Sequence, residues 1–267
     1  MMYQDRVLAY IDILGFSAKI KNTMKNDKKD ETKTENIYNL FRDAQYLIDK
    51  RYSYSANGES TKVANHYSDS IVISYSFTEK AGIFHLLADI LFLCVAALQK
   101  GFLFRGAIVC NKLCHEKNII FGPALVNAVE MEKSLAIYPR IILDEEIIDI
   151  AKKYLAEWPS KDEQIKVINK LISKDFDGLY YINYFDAINY VVGENAGVLL
   201  YFKALRNIVE NLEKCQKDNM SLKSKYLWIK EKYNRTLKEL QKKYCKDNVK
   251  IDSPDLYNYL LKTSCFR

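Results

Sequence analysis

Proline and glycine are scarce. With 4 Pro and 9 Gly among 267 residues, the chain is neither collagen-like nor low-complexity, and it is not strung on long flexible linkers. Histidine is scarcer still, at 3, and neither His66, His85 nor His115 stands in a recognisable local motif with a serine or cysteine nucleophile, so a hydrolase triad has no support. A Walker-type Gly-Lys-Ser/Thr loop and the Rossmann glycine pattern are both missing. So is an uninterrupted bilayer-length apolar run: Ala81 to Leu98 comes closest but carries His85 and Asp89, and its unbroken part, Ile90 to Leu98, is too short. Ionisable residues are rare in membrane spans, so a buried core or interface helix is expected there, and no membrane partner.

Six cysteines, Cys94, Cys110, Cys114, Cys215, Cys245 and Cys265, lie in apolar runs or helical patterns with no cleavable signal ahead of them. That usage predicts a reducing, cytoplasmic setting. Cys110-x-x-x-Cys114-His115 lacks a second ligand pair at zinc spacing.

What is present is ordinary globular material, 49% apolar and 28% charged. The length suits one large domain, or a catalytic domain of about 180 residues with a smaller appendage. The net charge of +6 is concentrated between Glu213 and Val249, which hold 11 Lys/Arg against 5 Asp/Glu; the remainder is neutral. Nucleic-acid binding would have to rest on that segment alone. Charges alternating on a helix usually mark a solvated face, so no nucleic-acid partner is expected.

Val7 to Leu14 reads as a strand covered on both faces and broken by Gly15, with a helix from Phe16 to Lys25. Asn26 to Glu35 reads as a loop, Ile37 to Lys50 as a helix, and Tyr52 to Ser60 as a loop. Lys62–Tyr67 and Ile71–Tyr75 form a hairpin around Ser68-Asp69-Ser70. An apolar helix from Lys80 to Lys100, strands Phe102–Val109 and Ile119–Phe121, a helix from Pro123 to about Ala136 and the strand Arg140–Leu143 complete a β α α β β α β β α β order. Beyond lie helices ending near Tyr154 and spanning Gln164–Ile172, an aromatic strand Leu179–Phe185, and a helical part from about Asn195. There Tyr226, Ile229, Tyr233, Leu237, Leu240 and Tyr244 make a stripe suited to another helix or a second subunit.

Asp12 sits in a strand that otherwise buries hydrocarbon, where an uncompensated carboxylate costs several kcal/mol, roughly. Asp69, at the tip of the hairpin, is a natural second carboxylate, since the hairpin of a β α β β unit can pair beside the first strand. Two close carboxylates share a proton or hold a metal. Alternatively Asp12 caps the helix near Phe16 and Asp69 is an ordinary turn residue.

Asp12-Ile13-Leu14-Gly15-Phe16-Ser17 resembles the opening motif of class III nucleotidyl cyclases. Asn65-His66-Tyr67-Ser68-Asp69 takes the place of their Gly-Asp hairpin, and Phe121-Gly122-Pro123-Ala124-Leu125-Val126-Asn127-Ala128-Val129-Glu130-Met131-Glu132 is similar to their long helix. Leu143-Asp144-Glu145-Glu146 and Asp177-Gly178 follow in order, so the likeness covers roughly Val7 to Tyr184. In that alignment the family's transition-state Asn and Arg fall on Val126 and Glu130, and its purine-reading positions on Asn65 and Ile119. These departures, with Phe104-Arg105-Gly106-Ala107 and Tyr138-Pro139-Arg140-Ile141, resemble the pyrimidine cyclases (PycC) of bacterial Pycsar antiphage systems.

The resemblance implies an α+β fold, an antiparallel sheet flanked by helices in the ferredoxin-like palm manner, with a catalytic domain over 1–194 and a helical extension over 195–267. It implies a homodimer that cyclises UTP or CTP to cyclic UMP or cyclic CMP, a messenger for a separate effector protein. Asp12, Asp69 and the Ile13 carbonyl would hold Mn²⁺ or Mg²⁺. Gly15, Phe16 and Ser17 would offer N–H groups to phosphate, although any strand-to-helix glycine reads alike. Arg105 and Arg140, each in an apolar strand, are the candidates for the transition-state cation, with a salt bridge as the alternative for both. Asn65 and Tyr67 share a strand face and would reach base or ribose; an amide suits uracil or cytosine by flipping, and Tyr67 serves equally as packing. A dimer-stabilising or phage-sensing surface is expected of the extension. A cyclase-fold protein that binds a nucleotide or partner without turnover is the rival expectation.

Overall fold

The computed structural model describes residues 2–25, 28–49, 60–157, 159–186, 195–217 and 219–267. Strand β1 (Gln4–Ile13) sends Val7, Ala9, Ile11 and Ile13 into a large core and Leu8 into a smaller one on its other face. Cover on both sides is why its apolar run is continuous. Helix α1 (Phe16–Lys21) is shorter than expected, because Asn22 closes it and β2 (Met24–Lys25) pairs with β3 (Lys28–Lys29). Helix α2 (Glu31–Asp49) begins six residues before the expected Ile37. Asp30 Oδ1 accepts the Lys33 amide at 3.1 Å and caps it, so its polar first turns are helical without apolar periodicity. The loop expected at 52–60 lies outside the described residues save its last.

Strands β4 (Val63–Tyr67) and β5 (Ser70–Ser76) are joined at Ser68-Asp69, with Ser68 at φ 54°. β5 pairs antiparallel with β1, so the hairpin lies directly beside the first strand. The apolar segment is α3 (Gly82–Gln99), long and apolar enough to cross a membrane but mostly buried in this fold. Its Asp89 meets Lys62 Nζ at 2.7 Å, both side chains fully enclosed.

Strand β6 (Phe104–Glu116) runs well past the expected Val109 and folds back through β7 (Ile119–Phe121). It hugs β1 so closely that a Cβ at Gly106 would lie 2.2 Å from the Tyr10 carbonyl oxygen, which requires glycine there. Helix α4 (Pro123–Leu135), β8 (Ile141–Leu143), α5 (Glu145–Lys153), α6 (Lys161–Leu171), β9 (Ile172–Lys174) and β10 (Tyr180–Ile182) follow. A Ser160–Glu163 capping box starts α6 ahead of the expected Gln164. The strand order is β4-β5-β1-β6-β8-β10-β9 with β7 on β6, and only β6–β8 among these pairings is parallel. The α+β class expected from sequence is the class observed.

Helices α7 (Asn195–Cys215), α8 (Met220–Tyr244), α9 (Asp247–Asp252) and α10 (Pro254–Lys262) complete the chain. The expected stripe on α8 is buried within the chain, and Tyr201, Phe202, Ile229 and Tyr233 join the same core cluster as α3 and the sheet. Asp175 ties α8 to the sheet. It pairs with the fully buried Arg140, accepts Lys232 Nζ at 2.8 Å, and accepts Trp228 Nε1 at 2.7 Å. Burial alone would raise the Asp175 carboxyl, but the Lys232 and Trp228 bonds outweigh it and hold it below its ordinary value.

Asp175→Ala strands Arg140 and Lys232 without their shared partner. A loss of about 3–5 kcal/mol in urea denaturation is expected, the scale for breaking a buried pair from one side; an unchanged midpoint would remove Asp175 from this role.

Candidate active site

The register places the predicted residues on one sheet face. Tyr67 pairs with Ser70, Ser70 with Asp12, and Asp12 with Arg105, a row across β4, β5, β1 and β6. The next row is Asn65, Val72, Tyr10 and Ala107. Helix α4 packs over β1 and β6 on this face, while Tyr67, out on β4, is 44% exposed. Asp69 is brought in by the backbone, since its carbonyl accepts the Ile13 amide at 3.1 Å and fastens the hairpin tip to the end of β1.

Arg105 Nε lies 3.1 Å from Asp12 Oδ2 and 2.6 Å from Glu132 Oε1. Glu132 closes the helix motif that resembles the cyclases but is not among the candidate site residues read from the sequence. It is nearly fully buried, on the α4 stripe of Ala124 and Ala128 at four-residue steps, and that stripe was the available signal: a carboxylate ending a small-residue helix face. Burial raises the carboxyls of Asp12 and Glu132. Asp69 pushes Asp12 further up and Asp12 does the same to Glu132, against the pull of Arg105. Asp12 does not cap α1; Gly15 holds that position at φ 70° with no side-chain cap.

Like-charged Asp12 and Asp69 suit a shared cation. Among the described residues no set of three or more His, Cys, Asp or Glu gathers to hold one. Two carboxylates and a backbone carbonyl such as that of Ile13 therefore fit a hard divalent ion only if water and substrate oxygens complete its shell, which is how Mg²⁺ is commonly bound with phosphates. Cys114 and Cys110 are free thiols, and His115 bonds Ser74 and Asn65, so no zinc site forms around them.

Gly15 and Ser17 are exposed where β1 turns into α1, and Phe16 packs edge-on to Phe41. Tyr67 donates its hydroxyl to the Asn118 carbonyl at 3.1 Å, and Asn65 accepts from His115. Arg140 is not brought to this group. Its guanidinium is enclosed between Asp175 and Asp177, so the salt-bridge alternative is the one observed and Arg140 serves as an anchor for α8. Val126 and Glu130 point outward from α4. Helix α8 also reaches the site. Leu222 lines a cavity of about 300 Å³ with Leu14, Gly15, Lys19 and Leu103. One turn on, half-buried Lys225 is held below its ordinary value by burial and by the charge of Arg105.

Asp12 and Glu132 bind protons more tightly folded than unfolded, so stability falls as pH rises between their ordinary and raised values. Arg105→Met removes the cation that moderates this. The variant should lose about 1–3 kcal/mol, and more at about pH 8 than at about pH 5 in denaturant titrations; an equal loss at both would detach Arg105 from the two carboxyls.

No family model and no curated protein matches the chain. Among solved structures, one similar to it is the catalytic core of a rhodopsin-guanylyl cyclase with converted specificity in complex with ATPalphaS. That structure is 12% identical, the alignment covers 67% of this chain and 95% of that chain, and the TM-score is 0.37.

Proposed function

We propose that this protein is a pyrimidine nucleotidyl cyclase, converting UTP or CTP to a 3′,5′-cyclic nucleotide and pyrophosphate in the cytoplasm, for antiphage signalling through a separate effector. One observation carries the chemistry. Two carboxylates and an arginine meet on a sheet face whose outer strand β4 leaves Tyr67 exposed, with a second aspartate fastened to the end of the same strand as the first. Exposed Ile119, Phe121 and Val126 give that side an apolar edge for a second copy of the chain, in keeping with a homodimer.

In this proposal Asp12, Asp69 and the Ile13 carbonyl hold Mn²⁺ or Mg²⁺. Bound there, the ion would acidify the ribose 3′-hydroxyl and neutralise phosphate oxygens. Backbone N–H groups of Gly15, Phe16 and Ser17 face the phosphates at the turn. Arg105 supplies a planar cation for the charge that grows on the α-phosphate as the 3′-oxygen bonds to phosphorus and pyrophosphate leaves. Glu132 holds Arg105 from behind and fixes where its guanidinium can go. Asn65 and Tyr67, on β4 with β5 lying between them and β1, are roughly 10 Å across the sheet from Asp12, a gap that a ribose and its base bridge.

A cyclase-fold protein that binds nucleotide without turnover is supported by different features. Arg105 is already occupied by two carboxylates, and α4 turns Val126 and Glu130 outward where the family carries Asn and Arg. Incubation with the four ribonucleoside triphosphates and Mn²⁺ separates the two, product marking the enzyme and binding alone marking its rival. Asp12→Ala and Asp69→Ala are each expected to abolish product with the circular dichroism spectrum unchanged; turnover in either refutes the metal assignment. Arg105→Ala should lower kcat by about 10²–10³, the scale of losing one preorganised charge donor.

A further inference from the structure

A buried relay of hydrogen bonds ends at Asn65. Arg6 is 3% exposed and its Nε donates to Ser74 Oγ at 2.9 Å. The remaining guanidinium donors go to Gln4 Oε1 and to the carbonyls of Thr61 and Ser74, so Arg6 is fixed. Ser74 is fully buried, and its Oγ lies 2.8 Å from His115 Nδ1. His115 is itself buried, and its Nε2 lies 2.7 Å from Asn65 Oδ1.

Chemistry gives this relay one direction. A guanidinium only donates, so Ser74 Oγ accepts from Arg6; because Ser74 is fully buried and its hydroxyl meets no other acceptor among the described residues, its own proton goes to His115 Nδ1 rather than being left unsatisfied. Burial and the nearby charge of Arg6 push the His115 imidazole down to about 4, so at neutral pH the ring carries one proton. With Nδ1 accepting, that proton sits on Nε2 and is donated to Asn65, which must answer with Oδ1. The reverse amide would set N–H against N–H in a buried site. Asn65 therefore turns its Nδ2 donors outward, where they meet Asn118 Oδ1 at 3.4 Å on the exposed side.

Resting on the cyclase function proposed above, we infer that His115 is a positioning residue that locks Asn65 as a hydrogen-bond donor toward the base, so that the site selects a carbonyl at the pyrimidine 4-position and prefers UTP to CTP. Uracil accepts there through O4. Cytosine presents an N4 amine, a second donor, and one unmatched hydrogen bond of about 1.4 kcal/mol is a tenfold difference. Sequence alone left the amide free to flip; the relay removes that freedom.

The test compares kcat/KM for UTP and CTP in the full chain and in two variants. Wild type should favour UTP by about tenfold or more. Ser74→Ala frees the His115 tautomer and should bring the ratio towards one, with kcat/KM for UTP reduced only a few-fold, about the loss of one hydrogen bond. Asn65→Asp presents an acceptor outward while still accepting from His115, and should turn the preference to CTP. Nitrogen-15 NMR of histidine-labelled protein should find the His115 proton on Nε2. A wild-type preference for CTP, a ratio unmoved by both variants, or an Nδ1-protonated ring overturns the lock while leaving cyclase activity intact. Failure to turn over any of the four ribonucleotides instead sinks the cyclase function, and the base preference falls with it.

Discussion

The pairing of Asp12 with Arg105 is the constraint on which the site depends. A carboxylate inside a sheet is tolerated only where something cationic answers it, and here the answer comes from the neighbouring strand in the same register row. Strand β6 approaches β1 closely enough to make that contact because Gly106, next to Arg105, has no side chain to press on the Tyr10 carbonyl. Glu132 then closes the cluster from the helix above. Three charged groups share one partly dry space with one positive charge among two negative ones, which is why both carboxyls titrate high.

A second buried ion cluster sets the limits of the first. Arg140 immediately precedes β8, and the Gly106 amide, next to Arg105 in β6, bonds the Arg140 carbonyl at 3.2 Å, so the two arginines begin as neighbours at the sheet. Their side chains serve different ends. Asp175 and Asp177 capture Arg140, and through Trp228 and Lys232 the same aspartate fixes α8 across the end of the sheet. Leu222 is thereby set beside Gly15, and Lys225 within reach of the charge of Arg105. The helical extension shares the core and borders the site.

Much was legible in the linear chain. Period-two alternation and turn chemistry revealed the hairpin, and the alternating apolar steps revealed the buried face of α8. Asp12 and Asp69 were conspicuous because one is out of place in hydrocarbon and the other tops a turn. Glu132 and His115 were not, since a glutamate beside Glu130 and Lys133 near the end of a helix and a histidine at the far end of a strand look like surface residues until their neighbours are known. Element ends were missed where capping replaced periodicity, at Asp30 before α2 and at Ser160 before α6.

Residue type and local order determined, unaided, the strands, the helices and the pair of aspartates, because period, turn propensity and the cost of a lone buried charge are properties of short stretches. Tertiary structure alone decided which arginine stands beside Asp12, that Glu132 shares it, and which way the Asn65 amide faces. Those outcomes are hydrogen bonds and ion pairs between residues far apart in the chain, and their direction is fixed by donors and acceptors that only folding brings within 3 Å, as in the 2.7 Å bond from His115 to Asn65.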